Sequence, residues 1–244
     1  MKTQQPRPLY LDCNRSQALT AWCGSVANGL LIIWLALWLA VHGASVDPNL
    51  LELVTTIFIA LFVCDFLSGF VHWAADTWFD ERSWVRVISI AREHHIFPHH
   101  IIGYPFRDHV AFSSWPTVLI VGPCGLLLTL AAPAIPLIFY GVVISFITSA
   151  VMFFGTHAHR LGHRPSRLRM VRLLQSCHLL ITTGHHGAHH RGPHNRRYCV
   201  INGWANYVCD GTGFWRALEL LVQRLTGSIP RRNDLEWLAR HQHL

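Results

Sequence analysis

From His109 to His159 the chain contains no Asp, Glu, Lys or Arg. A stretch that long is poorly suited to the surface of a soluble domain. It suits the lipid interior, where one helical crossing takes roughly 20 apolar residues and the backbone must satisfy its own hydrogen bonds. The stretch is long enough for two crossings, at about 112–131 and 135–155, with Pro133 and Pro136 marking the turn between them. Two earlier apolar runs, at about 21–41 and 51–73, supply two more, the second enclosing Asp65. Composition agrees: charged residues are 14% of the chain, against about 25% in soluble domains. The expected fold class is an all-α integral-membrane protein with about four transmembrane helices. No internal repeat or low-complexity linker divides the sequence, so residues 1–244 are expected to form a single membrane-embedded domain. The first apolar run is long for a signal-peptide core and lacks a convincing cleavage site.

Charge placement sets the expected orientation. Lys2, Arg7 and Arg15 precede the first span, and Arg82, Arg86, Arg92 and Arg107 lie between the second and third. Further arginines crowd the part after Arg160, where acids are few, whereas the connections near 42–50 and 132–134 hold no Lys or Arg. By the positive-inside rule both termini and the segments 74–111 and 156–244 face the cytoplasm. The net charge of +7 then reads as that bias and as attraction to anionic headgroups; no nucleic-acid partner is expected. The seven cysteines include no C-x-x-C pair, which leaves no zinc-ribbon, redox or c-haem signature. Most are expected to be small buried hydrophobes. Phe214, Leu218, Leu221 and Leu225 recur on one helical face, stopped by Gly227 and Pro230. Such a stripe suits a helix that lies on the membrane or covers a site.

Eighteen histidines are the second constraint. Nearly all fall on the side expected to be cytoplasmic; His42 is the exception and reads as a loop residue. Four clusters stand out. Asp65, Gly69, His72 and Asp76 share one helical face, and an acid inside a span calls for a partner or a function. Arg92-Glu93-His94-His95 follows, with His99 and His100 just beyond. His157, His159 and His163 come next, the last two an i, i+4 pair. The fourth holds His178, His185, His186, His189, His190 and His194, in which His185/His189 and His186/His190 are i, i+4 pairs. His99, His100, His109 and His157 carry the weakest spacing signal, and His241 and His243 sit on a polar tail.

Neutral imidazole suits iron, zinc, copper and nickel. A zinc site needs only three or four protein ligands, so about eight to ten histidines on one face fit two metals. A metal-buffering tract would be contiguous, whereas these clusters run from His72 to His194. Two histidine-held irons can activate O2 and abstract hydrogen from an unactivated C–H bond, which redox-inert zinc cannot. The expected architecture is a cytoplasmic histidine-rich helical cap holding a dinuclear metal site.

The ordered motifs resemble the Kua/CarF-type lipid desaturases, the family that includes plasmanylethanolamine desaturase. They are Asp65-Phe-Leu-Ser-Gly-Phe-Val-His72-Trp-Ala-Ala-Asp76, Arg92-Glu-His-His-Ile-Phe-Pro98, His159-Arg-Leu-Gly-His163, Leu174-Gln175 with His178, His185-His-Gly-Ala-His-His-Arg-Gly-Pro-His194, Tyr198-Cys-Val-Ile-Asn-Gly-Trp-Ala-Asn206, Gly213-Phe-Trp-Arg-Ala-Leu-Glu219 and Pro230-Arg-Arg-Asn-Asp234. The resemblance implies an O2-dependent di-iron desaturase of an intact membrane phospholipid. It would form the vinyl-ether bond of plasmalogens from an alkyl-ether (plasmanyl) lipid or, as in a related branch, desaturate an acyl chain. It implies His72, His94, His95, His159, His163, His186, His189 and His190 as metal ligands. His178, His185 and His194 match as ligands or supports, and Asp76 as a carboxylate orienting a ligating imidazole. The chain departs from the family pattern at Pro105-Phe-Arg-Asp-His109, at Thr156-His157 and at Gly184.

Two electrons must come from outside, since no flavin fingerprint or haem attachment motif is present. A ferredoxin or cytochrome b5 type of donor is implied. Arg191, Arg196, Arg197, Arg231 and Arg232 are candidates for docking that donor or a lipid phosphate. Three other readings remain open at this point: a hydroxylase using the same oxidant, a zinc-dependent membrane hydrolase, and a non-enzymatic metal-binding protein.

Overall fold

The computed structural model describes residues 15–79, 86–132, 135–191 and 194–230, and every regular element among them is helical. Among the described residues, four helices are long and apolar enough to cross a membrane: α1 (Arg15–His42), α2 (Leu50–Trp78), α5 (Phe106–Thr129) and α6 (Pro136–Phe153). Between and after them come α3 (Arg86–Ile96), α4 (His100–Gly103), α7 (Gly155–Gly162), α8 (Arg169–Ser176), α9 (Thr183–Gly187), α10 (Trp204–Gly211) and α11 (Phe214–Thr226). This is the helical integral-membrane architecture expected of the sequence. Arg82, the side chain of Arg86, Pro133, Arg231, Arg232, His241 and His243 lie outside the described residues.

Helix ends differ from the expected spans because an apolar count stops at the first polar residue, whereas a helix continues wherever its polar side chains find partners. α2 runs on to Trp78 and so carries His72 and Asp76 on its last turns. α5 starts at Phe106 and takes Arg107, Asp108 and His109 into its first turn, and it contains Pro116 and Pro123 without ending at either. His42 is not a loop residue; it closes α1, its ring 4.7 Å from that of Trp38.

The chain divides into two compact units, Ala18–Phe66 with Phe106–His157, and Leu67–Pro105 with Ala158–Leu244 and Met1–Gln17. In the first, Leu31, Leu35, Trp38, Phe139 and Val142 form an apolar core. Polar tethers lock its helices: Trp38 Nε1 donates to the Thr129 carbonyl at 3.1 Å, Trp115 Nε1 to the Thr20 carbonyl at 2.9 Å, and Asn28 Nδ2 to the Ser149 carbonyl at 3.4 Å. Such bonds hold helices together where lipid supplies no hydrophobic drive between them.

The second unit packs an aromatic core of Trp73, Tyr198 and Trp215. The Trp73 and Trp215 rings are stacked 6.1 Å apart, and Tyr198 meets Trp215 edge-on at 5.2 Å. Trp215 is therefore the buried residue of α11, while Leu221 and Leu225 on the expected apolar stripe stay exposed. Of the described cysteines, Cys64, Cys199 and Cys209 are buried as expected, but Cys23, Cys124 and Cys177 are exposed.

Gly69 is where the segment after His194 crosses α2. Ser68 Oγ accepts from Val200 N at 3.0 Å, and a Cβ at Gly69 would run into Cys199 Sγ and stand 3.0 Å from its backbone nitrogen. Gly69→Ala should therefore push residues 198–200 off the helix and lower stability by about 1–3 kcal/mol, the usual cost of overpacking. A thermal melt of the detergent-solubilised protein checks this; an unchanged midpoint would show that the crossing is not tight.

Candidate metal centre

The second unit gathers side chains from α2, α3, α7, α9 and the turn after α9. Three overlapping groups result, each with its candidate donor atoms within 4.8 Å of one another. The first is His94, His159, His163, His186 and His190. The second is His72, Asp76, His95 and His189. The third, His95, His190 and His194, draws one histidine from each of the other two.

Helix geometry explains the sorting. His159/His163, His186/His190 and His72/Asp76 each keep both members in one group, as i, i+4 partners do. Neighbours in sequence are split. His94 joins the first group and His95 the second; His190 joins the first and His189 the second. The two groups adjoin, with His95 and His190 ring centroids 5.0 Å apart and His72 and His159 5.2 Å apart.

Backbone carbonyls choose which ring nitrogen faces inward. His72 Nδ1 lies 2.9 Å from the Tyr198 carbonyl, His189 Nδ1 2.7 Å from that of Arg196, and His94 Nδ1 is held by that of Ala91. A proton on each Nδ1 leaves Nε2 as the donor to a metal. His94 Nε2 is buried with no hydrogen-bond partner among the described residues, which is unfavourable for a polar atom out of water and natural for a ligand.

The donor spacing provides a test of fit. In the first group Nε2 of His186 lies 2.8 Å from Nε2 of His159, 2.8 Å from that of His163 and 3.0 Å from that of His190; His159 and His163 are 3.1 Å apart. Donors about 2.1 Å from one ion and at right angles are about 3.0 Å apart, so five imidazoles suit one crowded ion. In the second group Asp76 Oδ2 is 3.3 Å from His72 Nε2, 3.0 Å from His95 Nε2 and 3.4 Å from His189 Nε2. That spacing is closer to the edge of a tetrahedron around an ion at the same bond length, about 3.4 Å. The residues of each of the first two groups therefore fit a metal ion at the bond length usual for imidazole.

Electrostatics favour neutral ligands. Burial, with the neighbouring imidazoles next, holds His94, His159 and His186 well below the usual imidazole range. The same causes push His163 down to about 3. Burial carries His95 to about 4 against the opposing pull of Asp76. Uncharged rings keep the lone pair a metal needs.

All eight histidines expected as ligands enter the first two groups. Asp76, expected to orient a ligand, has Oδ2 among the donor atoms themselves, and His194 stands in the third group. His178 and His185 are in none of them. His178 is exposed. Asn206 Nδ2 is 3.0 Å from His185 Nε2, turning that ring toward Asn206. His100 instead meets Glu93, Nδ1 to Oε1 at 3.0 Å, and His99 is exposed. His109 and His157 belong to the first unit, their rings 6.0 Å apart.

Of the arginines expected to dock a partner, Arg191 and Arg196 are exposed. Arg197 is half-buried, with its backbone nitrogen held by the Asp210 carboxylate at 3.2 Å. Sequence reasoning counted Arg92 toward the orientation but gave it no role at the metal site. Its side chain is 2% exposed. Nη1 donates to the Asp76 carbonyl at 3.1 Å and lies 3.8 Å from Asp76 Oδ1. The carboxylate thus turns one oxygen to the guanidinium and the other to the imidazoles.

Comparison with known proteins agrees with this centre. The profile of the lipid desaturase domain matches residues 61–233. Plasmanylethanolamine desaturase 1 of Mus musculus is 33% identical over 183 residues, covering 72% of this chain and 66% of that protein. Plasmanylethanolamine desaturase of Myxococcus xanthus is 30% identical over 191 residues, 75% of this chain and 65% of that protein. Fatty acid desaturase 4-like 2, chloroplastic, of Arabidopsis thaliana is 29% identical over 208 residues, 84% of this chain and 72% of that protein. The chain spans just under two thirds of the length of the first two. No solved structure matches. The family match encloses every residue of the three donor groups, and the chain belongs to the lipid desaturase domain family.

Proposed function

We propose that the chain is an O2-dependent di-iron desaturase of membrane phospholipid, its two compact units working as one membrane-embedded catalytic domain. The observation that carries this reading is the convergence of eight Nε2 atoms and one carboxylate oxygen into two adjoining donor groups. His94, His159, His163, His186 and His190 would hold one iron, and His72, Asp76, His95 and His189 the other. Bound iron supplies the oxidising power, from O2, to remove hydrogen from an unactivated carbon chain.

Overall the reaction converts –CH2–CH2–, O2, two electrons and two protons into –CH=CH– and two waters. The chain's own residues prepare it. The carbonyls of Ala91, Tyr198 and Arg196 fix the imidazole tautomers, and burial keeps the rings neutral and the centre dry. The electrons come from a separate donor of ferredoxin or cytochrome b5 type, for which exposed Arg191 and Arg196 offer a positive docking surface. The positive-inside bias supports a cytoplasmic placement of both termini and of the metal centre.

The favoured substrate is a plasmanyl phospholipid desaturated to the vinyl ether, as the names of the mouse and Myxococcus relatives suggest. The Arabidopsis relative supports a second reading, in which an acyl chain is desaturated. Metal analysis of the purified protein, with lipid mass spectrometry of cells with and without it, tests all of this. The expected result is two irons per chain and an O2-dependent product lighter by two hydrogens. An acid-labile vinyl ether in that product selects the plasmalogen reading, and an acid-stable acyl double bond the second. A product that gains one oxygen would make the chain a hydroxylase. A single zinc with unchanged lipids would replace this reading with that of a hydrolase.

A further inference from the structure

The helix next to the metal-bearing α7 has a surface that the proposed chemistry does not use. α8 and the loop before it carry Arg164, Arg167, Arg169 and Arg172, all exposed. No Asp or Glu occurs anywhere from His109 to Cys209, so no acid in this stretch offsets them. Interleaved with them are exposed apolar residues: Leu168 (67%), Met170 (65%) and Leu173 (56%). No residue of α8 is buried.

The helical wheel separates these residues. Met170, Leu173 and Cys177 lie at i, i+3 and i+7 on one face. Arg169, Arg172 and Ser176 share another. Gln175 marks the attached side, its Nε2 donating to the Ile181 carbonyl at 2.9 Å and to the Leu161 carbonyl of α7 at 3.4 Å. The helix is thus fastened along one edge, and its apolar and cationic faces are exposed among the described residues, with Arg172 Nη1 turned back onto the Arg167 carbonyl at 3.1 Å.

We propose that α8 is an interfacial helix that binds the surface of a membrane rich in anionic phospholipid. Leu168, Met170 and Leu173 enter the acyl layer, and Arg164, Arg167 and Arg169 pair with headgroup phosphates. A short helix with long apolar side chains beside arginines has the form of an in-plane membrane helix, and a juxtamembrane cationic cluster is drawn to anionic lipid. An acidic electron donor would match the arginines but would leave Leu168, Met170 and Leu173 uncovered, and for that reason lipid is the better fit. Because Gln175 ties α8 to α7, a lipid surface that holds α8 also steadies the helix bearing His159, with His163 just past its end. The inference does not depend on which metal, or how many, the centre holds.

Hydrogen–deuterium exchange of the full-length protein in nanodiscs tests it. One set of discs is phosphatidylcholine alone and the other is rich in phosphatidylglycerol. Amides of the peptide spanning 164–180 should exchange at least about tenfold more slowly in the anionic discs. The difference should shrink at 1 M salt, where screening is nearly complete. It should vanish in an Arg167→Glu/Arg169→Glu variant that keeps wild-type metal content and helicity. If that variant does not fold, Met170→Ser/Leu173→Ser provides the same comparison through the apolar face. Equal exchange in both discs would overturn the proposal. So would protection that appears only when an acidic ferredoxin is added to phosphatidylcholine discs, which would make this a protein-docking face.

Discussion

Replacing His186 with alanine should abolish metal loading and lipid desaturation together, while the same change at His185, one residue earlier, leaves both near wild type. The two side chains differ in where Nε2 is committed. His186 Nε2 is within 3.0 Å of three other imidazole nitrogens, and the ring is fully buried. Its loss opens the most connected donor in the group, and metal affinity should fall by at least about 100-fold, the upper end of what removing a mere supporting hydrogen bond does. The Nε2 of His185 lies beside Asn206 Nδ2, which also donates to the Cys199 carbonyl at 2.8 Å. That nitrogen is an acceptor in a structural bond, so His185→Ala should cost about 1 kcal/mol of stability. Iron per chain and product per chain, measured on both variants, decide it. Loss of iron from the His185 variant at wild-type stability would show that the ring moves into the centre when metal binds.

This pair shows how far the sequence could be read. Spacing was enough to find His159/His163 and His186/His190, because i, i+4 partners follow from helix periodicity, but it paired His185 with His189 on the same ground, and His185 joins no donor group. It could not divide His94 from His95, or His189 from His190, between two groups. That division depends on the direction from which each helix reaches the centre. It could not separate His185 from His186 either, since the residue that captures His185 is Asn206, in a different helix. The carbonyls of Ala91, Tyr198 and Arg196 were invisible for a simpler reason: any residue has a carbonyl. The four membrane helices were legible from apolar length, but the end of α2 was not, because Ser68, His72 and Asp76 are polar residues that the fold satisfies internally.

Arg92→Met should destabilise the metal-free protein far more than the loaded one. A guanidinium 2% exposed beside a buried carboxylate compensates a charge that would otherwise lie bare, and removing one partner of such a pair costs about 3–5 kcal/mol. When a cation sits against Asp76 Oδ2, it supplies most of that compensation itself. The loss should then fall to about 1–2 kcal/mol, the value of the hydrogen bond from Nη1 to the Asp76 carbonyl. Melting midpoints of wild type and variant, each with and without iron, provide the comparison. An equal penalty in both states would mean that Arg92 serves the helix crossing alone and does not balance the Asp76 charge.

The carbonyls of Arg196 and Tyr198 have a consequence for how the second donor group can be adjusted. They stand two residues apart on one short segment, and they hold His189 and His72, two of the four members of that group. The same segment is pinned to α2 by the bond from Val200 N to Ser68 Oγ. A backbone shift there would turn both imidazoles together, so the pair would respond to one adjustment as a unit while His95 and Asp76 stay where α3 and α2 put them.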